Sequence, residues 1–402
     1  METVVIIGGG AAGMMAALTA ARGDRRVIIL ERQQRVGRKL LATGNGRCNL
    51  TNTGAAPENY HGELPGFAVP ALAAFTPQDT LDFFHSLGLI TVTEHGGRVY
   101  PLSNSANSVV DVLRFALERA GVEVMCSTSA RELIRRGAGY TVRTDSGSID
   151  ADYLIVACGG AAGAKLGGVM DGYELLKPLG HKRTRLCPAL VQLTAEGGYP
   201  RALKGVRADA ALSLVSGGEV IARGAGELQF TETGVSGPAA FDISRAVSTG
   251  GGKAGLHIDF LRGYDGSAVA QMLRARCRAL PDLPCGEVFT GMLHNRLGRM
   301  LVKYAGLDAA APLSSLGADA LDAAVRAAKD FTLTLTGTEG FDSAQVTAGG
   351  IRTSGFDPES LQSWFMPRLF VCGELLDIDG DCGGYNLQWA WASGHVAGRL
   401  GE

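Results

Sequence analysis

The spacing of apolar and polar positions changes several times along the chain, and each change marks an element. Residues 4–7 form a continuous apolar run bounded by a glycine cluster, which predicts a strand buried on both faces, as in a parallel sheet. Helix formers and small residues follow over 14–22, and 27–30 is a second buried strand ended by Glu31. Helical periodicity over 109–120 leads into a strand at 122–126. Residues 140–143 and 148–151 flank Asp145-Ser146-Gly147 as a hairpin. Buried strands are predicted again at 153–156 and 369–372, and a helix over 387–399. The stretch 53–108 reads as looping.

From Pro188 the pattern differs. Strands are expected at 211–215, 220–222, 226–230, 257–260 and 331–336, and helices at 268–280, 288–304 and 316–329. The layout is α/β: a doubly wound domain from 1–187 and 351–402, interrupted by an inserted domain over 188–350. The insertion divides into a small barrel or sheet (about 188–260 and 331–347) and a helical part (about 261–330).

The turn after the first strand carries the first chemical signal. Gly8-Gly9-Gly10-Ala11-Ala12-Gly13 is GxGxxG between a strand and a helix. In such a turn Gly8 permits the tight reversal, Gly10 lets a pyrophosphate approach the backbone, and Gly13 lets the helix lie close to the strand. The helix start, Ala11 and Ala12 included, offers unpaired amides and a positive dipole end to phosphates. Glu31, 18 residues past Gly13, stands where an acid accepts hydrogen bonds from a ribose. An acid there repels a 2′-phosphate, which favours FAD or NAD over NADP.

The next segment, 32–52, separates FAD from NAD. It is basic, polar and glycine-rich where an NAD-type unit would continue into a regular element. Arg32, Arg38 and Lys39 are cations in reach of a pyrophosphate. Thr43, Gly44, Asn45, Gly46, Cys48 and Asn49 supply backbone amides and amide side chains for the polar edge of a flavin. On spacing alone a solvated loop explains the same residues. The run GRKLLATGNGRCNLTN behind GGGAAG, however, resembles the FAD-binding flavoproteins known as aminoacetone-oxidase-type and bile-acid-inducible (BaiN-like) oxidoreductases.

The stretch 369–390, with Gly373, Glu374, Gly384, Tyr385, Asn386 and Leu387, looks like that family's second FAD motif. The resemblance implies flavin contacts at Glu374 and over 384–387, and the same inserted-domain layout. Ala157-Cys158-Gly159-Gly160 resembles the crossover motif of two-dinucleotide-binding flavoproteins, with Cys158 where relatives have Thr, and makes Ala157 and Gly159 candidate contacts. The fold class expected is therefore a Rossmann-like FAD-binding domain with an inserted β-barrel-like and helical domain.

Composition narrows the rest. Of 402 residues, 38 are basic and 40 acidic, for a net charge of −2, which gives no electrostatic reason to expect a nucleic-acid or anionic-membrane partner. Glycine is the outlier at 57 residues, about twice the usual share. No apolar run reaches membrane-span length, no signal peptide is evident, and the eight cysteines form no CxxC, so a cytoplasmic protein without a metal site is expected.

Candidate catalytic groups are Arg47, Cys48, His95 and Tyr100. Arg47 suits an anionic substrate or reduced flavin, Cys48 a redox thiol, and His95 and Tyr100 an acid or base. The alternative for Cys48 is a buried loop thiol. Thr231-Glu232-Thr233-Gly234-Val235-Ser236-Gly237-Pro238 resembles a family motif in which many relatives have His at the Glu232 place; its structural reading is a helix cap before Pro238. It is not a hydrolase elbow, because Pro238 takes the last glycine place. The expected protein is an FAD-dependent oxidoreductase acting on a small organic molecule, with NAD(P)H as a transient electron donor. A flavin-dependent tRNA-modification enzyme and a non-catalytic FAD-binding sensor are the alternatives. Oligomeric state is not legible.

Overall fold

The computed structural model describes residues 1–251 and 253–402. Two compact units are present, Met1–Pro188 with Ala344–Glu402, and Ala189–Ser343.

The first unit is built on a five-stranded parallel sheet in the order Leu369–Val371, Tyr153–Val156, β1 (Glu2–Ile7), β2 (Arg25–Leu30) and Glu123–Met125. The apolar runs are buried on both faces; Val4, Val5, Ile6, Ile28 and Ile29 are fully enclosed. Register sets Ile7 beside both Leu30 and Val156, and Val156 beside Val371. Four strands therefore end level, and the loops that follow them gather at one carboxyl edge.

Helix α1 (Ala11–Ala20) is buried nearly all round. It packs against the last helix, Tyr385–Gly398, through glycines. A Cβ on Gly394 would stand 2.4 Å from the Ala12 carbonyl oxygen, and one on Gly398 would stand 2.5 Å from that of Ala16. Residue numbers rise together across this contact, so the two helices run parallel. Their starts are staggered: at ~1.5 Å per residue the last helix begins about 12 Å beyond the start of α1.

The 53–108 stretch is more ordered than the expected loop. It contains helices Val69–Ala74 and Pro77–Ser86, and Arg98–Pro101 pairs with both Thr51–Asn52 and Thr91–Thr93. The missed signal is local: Thr76 accepts from the Asp79 amide while Asp79 accepts from the Thr76 amide, with Pro77 at the first helical position. Gln388 fastens this stretch to the last helix. Its Oε1 accepts from Thr51 and Thr80 at 2.6 and 2.8 Å, and its Nε2 donates to the Phe75 carbonyl.

The second unit is a closed barrel in the order Leu193–Ala195, Gly234–Ser236, Glu219–Phe230, Arg207–Ser216, Ala254–Asp259 and Phe331–Thr338. The expected strands at 220–222 and 226–230 are one strand, Glu219–Phe230. Gly224 within it is a packing requirement, since a Cβ there would meet the Ala239 carbonyl oxygen at 2.4 Å. Helix Pro238–Gly250 starts at Pro238 with Gly237 as its N-cap. The helix expected over 288–304 shortens to Asn295–Tyr304, because His294 Nδ1 accepts from the Arg296 amide and caps it there.

Candidate cofactor site

The site begins at the carboxyl edge of the parallel sheet. Gly8 (φ +109°) turns the chain directly after β1, and a Cβ on it would meet the Ala157 carbonyl oxygen at 2.4 Å. A Cβ on Gly13 would stand 1.9 Å from the Gly8 oxygen, so only glycine allows α1 to start this close to the strand. Gly10 differs: a Cβ there meets nothing within 4 Å, and it faces open space as the N-cap of α1. No side chain caps α1 and no acid lies in its first turn, which leaves the amides of the Ala11-Ala12-Gly13 turn for a ligand. Glu31 accepts from the Gly9 and Gln33 amides at 2.8 and 2.7 Å. A carboxylate has about four acceptor positions, so Glu31 retains capacity for sugar hydroxyls.

Lys39 and Glu374 join the two ends of the chain. Lys39 Nζ donates to Glu374 Oε2 at 2.6 Å, and the Thr347 amide donates to Oε1 at 2.9 Å. Thr347 gave no sequence signal, and its Oγ1 also accepts from the Ala162 amide beyond the Ala157–Gly160 turn. Ala157 is buried and donates its amide to Ile7, whereas Gly159 faces open space. Gly373 is clasped from the last helix by Trp389 Nε1, which donates to its oxygen, and by Ser393 Oγ, which accepts from its amide. Arg32 and Arg38 stay exposed, and Arg38 donates to Gln33 at 2.5 Å, so neither is held toward α1 in the way Lys39 is held at Glu374.

The segment around 43–49 meets the start of the last helix. The Cys48 amide donates to the Thr43 carbonyl, and Gly44 lies under Tyr100. Asn45 and Gly46 are exposed. A Cβ on Gly384 (φ +103°) would meet the Thr51 carbonyl oxygen at 2.4 Å and Asn49 Oδ1 at 2.9 Å. Asn386 holds the incoming strand by accepting from the Gly380 amide and donating to the Gly380 carbonyl. Like α1, the last helix has no side-chain cap and no acid in its first turn, formed by Tyr385, Asn386 and Leu387.

The four candidate catalytic groups fare differently. Arg47 is committed to protein partners: it pairs with Glu94, donates to Asn104, and lies 3.9 Å above the Tyr100 ring. Cys48 is fully buried, and burial pushes its thiol up to about 12, so it is a neutral loop thiol at physiological pH. Burial likewise raises Cys158 and Cys372. His95 is exposed on a surface turn. Tyr100 is nearly buried and burial holds its phenol neutral, against opposing pulls from Arg98 and Arg47. Tyr173, without a sequence signal, is a buried phenol raised first by burial and then by Glu374. Glu232 is exposed and paired with Lys204 and Arg201.

These residues fit an extended dinucleotide bearing a large ring. Two uncapped helix starts stand about 12 Å apart along one direction. The nearer faces open space at Gly10, and the farther lies beside Asn49, whose buried Oδ1 lacks a hydrogen-bond partner. Among the described residues no group of His, Cys, Asp or Glu forms a metal site, and no helix is long and apolar enough to cross a membrane.

The fold and the cradle define the class, an FAD-binding flavoprotein of the oxidoreductase type. The family model described as the HI0933-like protein Rossmann domain matches residues 2–400, and the chain belongs to that family. The chain is 41% identical over 380 residues to a 3-dehydro-bile acid delta(4,6)-reductase of Clostridium scindens, covering 94% of this chain and 93% of the relative. It is 29% identical over 371 residues to a ribosomal RNA dihydrouridine synthase of Escherichia coli, covering 92% and 90%. Among solved structures, 3-ketosteroid delta1-dehydrogenase of Sterolibacterium denitrificans shares the fold with a TM-score of 0.50 at 14% identity, over 99% of each chain.

Proposed function

We propose that this protein is a reductase that saturates a carbon–carbon double bond conjugated to a carbonyl in a small, ring-containing organic substrate, with NAD(P)H as the transient donor. The observation that carries this reading is a shared reaction. The names of the bile-acid and the RNA relative both describe adding two hydrogens across a ring double bond, although their substrates differ in kind. The small-molecule branch is favoured by identity, 41% against 29%, and by charge. Overall the chain is slightly acidic, and residues 189–343 carry 15 basic and 16 acidic side chains, which offers no sequence-wide electrostatic pull toward RNA.

FAD, when bound, supplies the hydride-carrying ring. The chain's residues do the rest. The first-turn amides of α1 and open Gly10 hold the pyrophosphate, and Glu31 takes the adenosine ribose. Glu374, aligned by Lys39 and the Thr347 amide, accepts from the hydroxyls between pyrophosphate and ring. Asn49 and the amides at 385–387 would hold the polar edge of the ring, and the helix start would favour negative charge there. Tyr100, fixed beneath Arg47 and neutral, donates a hydrogen bond to the substrate carbonyl.

The test is anaerobic. Protein carrying FAD is bleached with dithionite or NAD(P)H and mixed with cyclic conjugated ketones, including 3-oxo-Δ4 steroid acids, or with ribosomal RNA. Return of the flavin absorbance with a conjugated ketone, and a saturated product, is the expected result. Reoxidation by RNA but by none of the ketones would transfer the reading to the RNA branch.

A further inference from the structure

We infer that His61, held by Asp381, is the proton donor of this site; the inference rests on the reductase reading above. The pair was not a candidate from sequence, because 320 positions separate its members. Strand pairing brings them together: Tyr60–His61 runs antiparallel to Asp379–Gly380, immediately before the last helix. His61 Nε2 lies 2.7 Å from Asp381 Oδ1. Asp381 is itself fixed, since its Oδ2 accepts from Asn59 Nδ2 at 3.1 Å and its amide donates to the Asn59 carbonyl.

The position is the functional end of the cradle. Tyr60 donates its hydroxyl to the Tyr385 carbonyl, and the two rings meet edge to face at 6.4 Å. Gly383, two residues after Asp381, receives a hydrogen bond from Asn52 at its carbonyl. A Cβ on Gly383 would stand 3.4 Å from Arg98 Nε. The pair therefore sits on the same short segment that delivers the amides of the last helix to the ring. The side chains of His61 and Asp381 are each about one-third exposed, so the imidazole is open to a small molecule.

The other histidines of this unit are less suited. His181 is enclosed and stacked on Phe356, and burial lowers it to about 4. His395 is stacked on Phe75 and lowered, first by burial and then by Arg22 and Arg399. His85 bonds Thr91, and His95 stands on the surface without a carboxylate at salt-bridge distance among the described residues. His61 alone among these five has such a carboxylate on its ring. With Nε2–H held by Asp381, Nδ1 is the nitrogen that presents a proton.

The chemistry balances as a two-electron reduction. FAD, when bound and reduced, would supply hydride to the β-carbon of the conjugated ketone, and the C=C π electrons would shift toward the carbonyl. The Nδ1 proton of the His61 imidazolium then forms the C–H bond at the α-carbon. The products are the saturated ketone, oxidised flavin and neutral imidazole, and water returns the proton. His61 is the donor, and Asp381 is a positioning residue that fixes its tautomer and angle.

The test separates the two half-reactions in holoprotein of wild type, H61Q, H61A and D381N. The expected H61Q protein binds FAD with an unchanged visible spectrum, and NADH or dithionite reduces it within about twofold of the wild-type rate. Its reoxidation by a conjugated ketone falls about 100-fold, as loss of a general acid requires. Imidazole added to H61A restores part of that rate, and D381N shows a smaller loss with an altered pH profile. Reoxidation of H61Q within threefold of a wild type that turns over overturns the donor assignment alone. A wild type that no conjugated ketone reoxidises overturns the reductase reading and this inference with it.

Discussion

The two units use glycine and burial differently. In the sheet unit the decisive glycines are places where backbone meets backbone: Gly8 against Ala157, Gly13 against Gly8, Gly384 against Thr51, Gly394 against Ala12. In the barrel unit, Gly224, Gly234 and Gly237 also meet backbone, at Ala239, Leu193 and Glu227, but these contacts close the barrel and its helix on themselves, while Gly205, Gly217, Gly218, Gly226, Gly251 and Gly306 face open space. The sheet unit therefore builds its site from main chain, and side chains such as Glu31 and Glu374 act as fasteners. The barrel unit encloses its own apolar core, with Leu212, Leu214, Leu256, Ile258 and Phe331 at or near zero exposure. A lesion in one should read out as ligand loss, and in the other as stability loss.

The largest expected effect is at Gly13. Gly13→Val puts carbon within 1.9 Å of the Gly8 oxygen, so α1 must move from the sheet. FAD affinity should fall more than 1,000-fold, measured by flavin fluorescence on titrating apoprotein, and retention of wild-type affinity would break the comparison. Leu256→Ala should do the opposite. It removes a fully buried barrel side chain, costs about 2–5 kcal/mol in denaturant unfolding, and leaves the FAD stoichiometry of folded protein unchanged.

His181 is enclosed between Phe356 and Phe365, with Ser363 Oγ at 3.0 Å, and burial lowers it to about 4. The unfolded chain binds its proton first as pH falls. Stability is thus fully present above about 6.5 and is lost progressively down to about 4, by about 3 kcal/mol in all. Urea midpoints measured across that window should drop in wild type and flatten in His181→Gln. The smallest effect belongs to Lys39→Met, which leaves Glu374 without its 2.6 Å partner. FAD affinity should weaken about tenfold, roughly 1.4 kcal/mol, with little change in thermal midpoint of the apoprotein.

The sheet unit's candidate site was legible where chemistry is written locally. The GxGxxG turn, Glu31 and the Gly383-Gly384 turn each carry their own spacing; the first two stand at one edge because the strands before them end in register, and Gly384 packs against Thr51. Arg47 and Cys48 read as reactive from their neighbours in sequence, but their environments come from distant residues: Glu94 and Asn104 commit the guanidinium, and the surrounding core encloses the thiol. Thr347, Tyr173 and the His61–Asp381 pair were illegible for the same reason, since no local pattern encodes contacts between residues as far apart in sequence as Thr347 and Ala162 or His61 and Asp381. In 53–108 the helix signal at Thr76-Pro77 was present, but Pro65, Pro70 and Pro77 divide the stretch into helices of 6 and 10 residues, too short for a clear period.

On this account the two staggered helix starts hold an extended FAD. Titrating apoprotein with FAD, FMN and NAD, followed by flavin absorbance and calorimetry, tests it most directly. FAD should bind one per chain and at least 100-fold more tightly than FMN, which lacks the pyrophosphate and adenosine that α1 and Glu31 receive, and more tightly than NAD. Equal affinity for FMN, or a colourless protein that takes up NAD and refuses flavin, would contradict it.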